Sequence, residues 1–325
     1  MQWPDIDHKI LRCTQDDSSH AARRTPHAAR RTFMEQQIYN GLFIGSIYAL
    51  FAVGYTLVFG ILDILNLAHQ AVFMLGAIVA LELVVRADLD VWLALALSVL
   101  VCGAIGVLLD RVAFKPLRAR PDTYFSSLIS SIAMALIFEA IVLRWLGPDP
   151  RRFPFGTFPV KIWEIGDVVI TLRQLVIMAL AVAMTLGLQY FVKATRTGMA
   201  IRTVAENQRA ARLLGVNVDG IIALSFFISS ALGGMAGVLY GLEFANIAPE
   251  MGRGVELKGL AVIILGGMGS IPGAVIGGFV LGLTEVFTVQ WISSTWRDAA
   301  AFTVLFAILL VRPRGLLGQK AVREA

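Results

Sequence analysis

Four polar side chains interrupt otherwise apolar stretches of this 325-residue chain and could do chemistry there: Asn66, His69, Gln70 and Glu139. Polar groups at membrane depth are costly and usually functional. Asn66, His69 and Gln70 read as lining the path of a polar solute, with hydrogen bonding inside a re-entrant turn as the alternative for His69. Glu139 reads either as a gate or polar contact, or as a carboxylate paired with Arg144. His69 is the only histidine beyond the first 33 residues, and one histidine makes no metal site. Enzyme signatures are missing. The sequence has no phosphate loop of the G-x-x-x-x-G-K-[ST] kind, no H-E-x-x-H, no G-x-S-x-G and no pair of intramembrane aspartates. No catalytic residue, metal or cofactor is therefore expected on this chain.

The elements that position these residues are apolar runs. The chain is 57% hydrophobic and only 16% charged, against about 25% charged in an ordinary globular domain. Runs at 41–62, 71–85, 91–109, 124–143, 174–192, 220–242, 257–284 and a short 299–311 approach the ~20 residues that cross a bilayer as a helix. The expectation is an all-α, polytopic membrane protein with about eight spans and one integral domain over 34–320, followed by a tail at 321–325. Two stretches are interrupted, near 61–72 by Asp63, Asn66, His69 and Gln70, and within 257–284 by Gly266, Gly267, Gly269, Pro272 and Gly273. Paired interruptions in two halves of a transporter point to its substrate path. Gly267, Gly269 and Pro272 accordingly read either as path-lining or as permitting close packing and kinks. Gly233, Gly237 and Gly241 stand four apart, a spacing that brings helix backbones together.

Residues 1–33, with the tandem "HAARRTPHAARRT", read as a disordered basic arm or as sequence ahead of a true start at Met34. The net charge of +5 needs no nucleic-acid partner, because basic loops orient membrane proteins. Segments 110–123, 193–219 and 312–325 carry 4, 5 and 4 Lys+Arg and are assigned to the cytoplasm. This holds if 257–284 enters and leaves on one face. Cys13 and Cys102 lie in unlike surroundings and suggest no disulfide.

The longest cytoplasmic segment, 193–219, is polar and fits two short helices, one from about Gly198 to Ala205 and one after the N-cap residue Asn207. Gly215 stands where a C-terminal cap belongs. Ala210, Leu213 and Leu214 form a small apolar strip suited to a shallow groove on a partner.

"NLAHQAVFMLGA" at 66–77, "GMAIRTVAENQRAARLLGVNVD" at 198–219, "LGGMGSIPGAVIGGFVLGLTE" at 265–285 and "RPRGLLG" at 312–318 together resemble the LivH-type permeases of branched-chain amino acid ABC importers. The resemblance covers about residues 36 to 320. It implies an inner-membrane subunit paired with a sister permease and driven by two cytoplasmic ATPase subunits that bind the ATP. A periplasmic binding protein delivers the substrate. The coupling contact falls on Glu206, Asn207, Ala210, Ala211, Leu214 and Gly215. Two departures stand out: Arg209 occupies the position of the importer motif's Glu, which leaves Glu206 to serve instead, and Gln70 follows the His where the family commonly has Gly. Relatives of this architecture carry branched-chain and other amino acids, amides or urea. An ion-coupled carrier is the less favoured alternative, since it usually needs several mid-membrane acids.

Overall fold

Where no water can satisfy peptide groups, a long apolar run closes its own hydrogen bonds as a helix. The computed structural model describes residues 26–118, 123–159, 161–165 and 168–318; eight of its helices are long and apolar enough to cross a membrane. In chain order the helices are α1 (Pro26–Leu62), α2 (His69–Ala87), α3 (Val91–Leu109), α4 (Thr123–Leu146), α5 (Leu172–Ala194), α6 (Arg196–Glu206), α7 (Gln208–Leu213), α8 (Val218–Phe244), α9 (Met251–Gly266), α10 (Ile271–Trp291) and α11 (Arg297–Val311). A π-helical turn (Asp110–Phe114) and a 3-10 turn (Lys115–Leu117) extend α3. One two-stranded antiparallel ribbon, β1 (Ile162–Ile165) with β2 (Val168–Thr171), interrupts the helices. Helix α1 begins at Pro26, inside the segment expected to be an arm; residues 1–25 and 319–325 lie outside the described residues.

Burial sorts the spans. The membrane-length windows of α1 and α8 are 83% and 72% buried, whereas that of α11 is 6% buried, so α1 and α8 form the centre. Helix α10 runs antiparallel along α1, with Gly41 against Leu283 and Gly45 against Phe279. Helix α8 packs on α2 at its glycines, as their spacing suggested. A Cβ on Gly237 would stand 1.8 Å from the Phe73 carbonyl oxygen. Gly237→Ala is therefore expected to force α8 off α2 at a cost of about 1–3 kcal/mol, read as a lowered unfolding temperature in detergent.

The two ends of the bundle differ. At one, Lys115 pairs with Asp219 at 3.2 Å, and the amides of Leu316 and Leu317 donate to the carbonyls of Leu265 and Gly266 at 2.8 and 2.9 Å. This basic end gathers the segments 110–118, 195–218 and 312–318. At the opposite end Arg173 pairs with Glu243 at 2.8 Å, and Arg151 and Ile247 exchange backbone hydrogen bonds.

Both expected interruptions are present, the second at 267–270 between α9 and α10, and a further break lies at 245–250. Asp63 stops α1 in the left-handed region at φ 53°. Residues 63–68 then run without helix, and α2 starts beside Gly54 in the second half of α1 and Gly233 midway along α8. At the further break Ala245 turns at φ 49°, and α9 starts with Gly252 pressed on the Gln70 carbonyl. The Gly266–Gly273 stretch, the expected interruption of 257–284, is the turn joining α9 to α10 at the basic end. There Gly267, at φ 105°, abuts Gly318, and Gly269 faces Gly60. Its glycines serve a tight turn under the C-terminal segment, and α9 and α10 form a hairpin that returns to the end it came from.

Candidate functional site

At the basic end α6 and α7 make a compact hairpin. Thr195 Oγ1 accepts the Gly198 amide at 2.9 Å and starts α6. Asn207 Oδ1 accepts the amides of Arg209 and Ala210 at 2.9 and 3.0 Å and starts α7. Gly215, at φ 80°, ends it: its amide reaches the Arg212 carbonyl and the Val216 amide the Ala211 carbonyl, at 3.1 and 3.0 Å. This paired termination uses the left-handed conformation glycine adopts freely. A helix of six residues has no stability of its own, so these caps and its seat on the bundle hold it. Ala211 is that seat, 0% exposed, with Ile201 and Val204 buried beside it, while Leu213 and Leu214 are 90% and 75% exposed. Glu206, Asn207 and Ala210 also face outward. Of the expected coupling residues, then, Ala211 points into the bundle and the others form its surface.

A charged cluster braces the hairpin from beneath. Arg118 pairs with buried Asp110 and with Asp219 in the first turn of α8, and Lys115 joins the same Asp219. Burial pushes the Arg118 guanidinium below its usual range, and Asp219 opposes that shift.

Halfway along the bundle the two broken segments cross. His69 is fully buried, its ring 4.7 Å from that of Phe51 and 5.5 Å from that of Tyr55. Asn66 Oδ1 accepts the Ala68 amide at 3.2 Å, and Ser131 Oγ accepts the Leu67 amide at 3.2 Å. These bonds satisfy backbone that the missing helix leaves open. Gln70 supplies its carbonyl to the contact with Gly252. Glu139 is close by, but its partner is Arg253 of α9, not Arg144. Arg253 Nη2 and Nε stand 2.6 and 3.2 Å from Glu139 Oε2. Arg144, five residues on, projects about 140° away around α4 and is exposed. Asn66, His69, Gln70 and Glu139 thus gather at one crossing, whereas Gly267 and Gly269 sit at the basic end.

A seam between α1, α5 and α10 holds two cavities. One of about 220 Å³ is lined by Ser46, Ala181, Thr185, Gln189, Pro272 and Phe279. The other, of about 260 Å³, lies at the opposite end and is lined by Asn40, Ile44, Gln174, Glu243, Val289 and Arg297 among others. Pro272 is the one expected path residue that borders either.

Residues 37–311 match the model of the family described as branched-chain amino acid transport system, permease component. The chain belongs to this permease family. It is 37% identical over 300 residues to the high-affinity branched-chain amino acid transport system permease protein BraD of Pseudomonas aeruginosa, covering 89% of this chain and 97% of that one. To the corresponding permease protein LivH of Escherichia coli (strain K12) it is 36% identical over 300 residues, with the same coverage of 89% and 97%. Among solved structures, PsaBC from Streptococcus pneumoniae in complex with Fab is similar at a TM-score of 0.49 and 10% identity, over 85% of this chain and 91% of that one.

The permease is thus a multi-pass membrane protein whose buried charges sequence reading largely missed. Glu285 is 0% exposed; Lys258 Nζ lies 2.8 Å from its Oε1 and the Tyr48 hydroxyl donates to its Oε2 at 3.0 Å. Glu256, also buried, faces Tyr55 and the backbone of Gln70. The signal was available: counted along α9, Glu256 and Lys258 fall on a helix, but they stand at the very edge of the apolar run that begins at 257, where hydropathy discounts them.

Proposed function

We propose that this permease is the membrane subunit of an ATP-driven importer, carrying branched-chain amino acids across the bacterial inner membrane. The basic end faces the cytoplasm. A sister permease completes the translocation pathway, two cytoplasmic ATPase subunits bind and hydrolyse ATP, and a periplasmic binding protein delivers the substrate at the opposite end. The family match and the relatives' names support the substrate class. The α6–α7 hairpin carries the mechanism: it offers two exposed leucines outward and is fixed to the bundle inward by Ala211 and its caps. Such a lever transmits force only if the ATPases hold it differently in two states, since coupling is a difference in state preference. Closing of the ATPase pair on ATP moves the hairpin, opens the pathway toward the binding protein, and hydrolysis resets it.

The seam between α1, α5 and α10, with Pro272 along it, serves as this chain's share of the pathway. Asn66, His69, Gln70 and Glu139 hold the crossing of the broken segments, the place where the bundle flexes, and Gly267 and Gly269 keep the turn beneath it tight. His69→Ala is then expected to leave a void between Phe51 and Tyr55 costing about 2–4 kcal/mol, without changing the ratio of leucine to isoleucine uptake. A changed ratio at unchanged stability contradicts this assignment. The function itself is tested by leucine uptake into vesicles holding the assembled importer. Leu213→Glu with Leu214→Glu is expected to reduce uptake more than tenfold and to release the ATPases from the membrane; ATPase binding and uptake at parental levels would count against it.

A further inference from the structure

We propose that the cavity at the opposite end of the seam is a transient binding subsite for a zwitterionic amino acid with an aliphatic side chain, the first station after delivery. The inference rests on the import function above and adds the place and the groups that receive the substrate. The cavity has two kinds of wall. Ile44 of α1 and Val289 of α10 supply apolar surface, while Glu243 of α8 and Arg297 of α11 supply opposite charges. Its volume of about 260 Å³ is close to the lower bound of roughly 300 Å³ for small-molecule sites.

The surrounding charges are balanced. Glu243 is paired with Arg173 at 2.8 Å. Lys258 bridges Glu285 and Asp298 at 2.8 and 3.2 Å. Arg297 is the loosest member: its nearest carboxylate oxygen, on Glu285, is 3.9 Å away, and its buried Nε has no hydrogen-bond partner. Three cations thus stand with three carboxylates. A net-neutral zwitterion enters such a set without leaving a charge unmatched, its carboxylate toward Arg297 and its ammonium toward Glu243, whereas a lone ion would upset the balance. The aliphatic side chain then lies on Ile44 and Val289. Helices α1, α5 and α10, which all contribute to this cavity, also line the second, apolar cavity nearer the basic end.

The test uses the complete importer in vesicles, with leucine as the probe and co-purification of the ATPases as the check on assembly. Ile44→Trp fills the cavity without removing a polar contact and is expected to cut leucine uptake at least tenfold. Arg297→Gln is expected to do the same, and Arg297→Lys to restore at least half of the parental rate. Should Ile44→Trp fail to assemble, Val289→Trp blocks the same cavity from the facing helix and is judged by the same criterion. Parental uptake in the blocked variant and in Arg297→Gln overturns the subsite while the import function stands. Absence of leucine uptake by the unaltered importer overturns the function and the subsite with it.

Discussion

Ala211→Trp is expected to abolish uptake, by a factor of a hundred or more, while the chain still inserts and folds. The methyl group of Ala211 is fully buried beneath α7, and α7 owes its position to that contact, to the Asn207 cap and to the Gly215 termination. An indole cannot fit there, so α7 must lift from the bundle. The spans do not depend on a six-residue surface helix, and their packing at Gly237 and Gly45 lies elsewhere. On the coupling proposed above, the stroke of the ATPases would then reach a loose segment. The measurement pairs leucine uptake with ATP hydrolysis and unfolding temperature: uptake should vanish while hydrolysis persists and the unfolding temperature stays near that of the parent. Normal uptake would mean that force enters by another surface.

The second large effect is on stability. Glu285→Ala is expected to destabilise the permease by about 3–5 kcal/mol, the range for removing one partner of a buried ion pair. Glu285 receives Lys258 at 2.8 Å and the Tyr48 hydroxyl at 3.0 Å, and is itself 0% exposed. Its removal leaves Lys258 with the exposed Asp298 and the Tyr48 hydroxyl, at 3.2 and 3.3 Å, and no buried carboxylate to match its charge among the described residues. Replacing both members, Glu285→Leu with Lys258→Met, is expected to recover most of the loss, because the penalty belongs to the unmatched charge. Thermal unfolding in detergent reads both; equal losses in the single and double variants would show that packing, not charge, governs the site.

Much of the fold was legible because membrane spans announce themselves by length. The apolar runs correspond to the eight spans, and the α6–α7 hairpin was visible from Asn207, Gly215 and the spacing of Leu213 and Leu214. What stayed hidden depends on distant partners. The break at 245–250, with Asn246, Pro249 and Glu250, reads as an ordinary outer loop; Ile247 pairs with Arg151 at that end, and Gly252, fitted to the Gln70 carbonyl, brings the chain into the bundle. The glycines at 266–273, with the louder local signal, proved to be a turn. Glu139 is buried, and the basic residue nearest it in sequence, Arg144, is not its partner, since Arg253 arrives from α9. Glu285 and Lys258 sit at the edges of an apolar window, where hydropathy discounts them, and only the folding of α9 along α10 brings them together.

In the import function proposed above, work enters this permease from a separate ATP-hydrolysing partner through the α6–α7 hairpin. Leucine uptake compared in vesicles holding the permease pair alone and the pair with its ATPases, both with binding protein and ATP, tests it most directly. Leucine is expected to accumulate against a gradient only with the ATPases; accumulation at the same rate without them would mean that no such partner drives this permease.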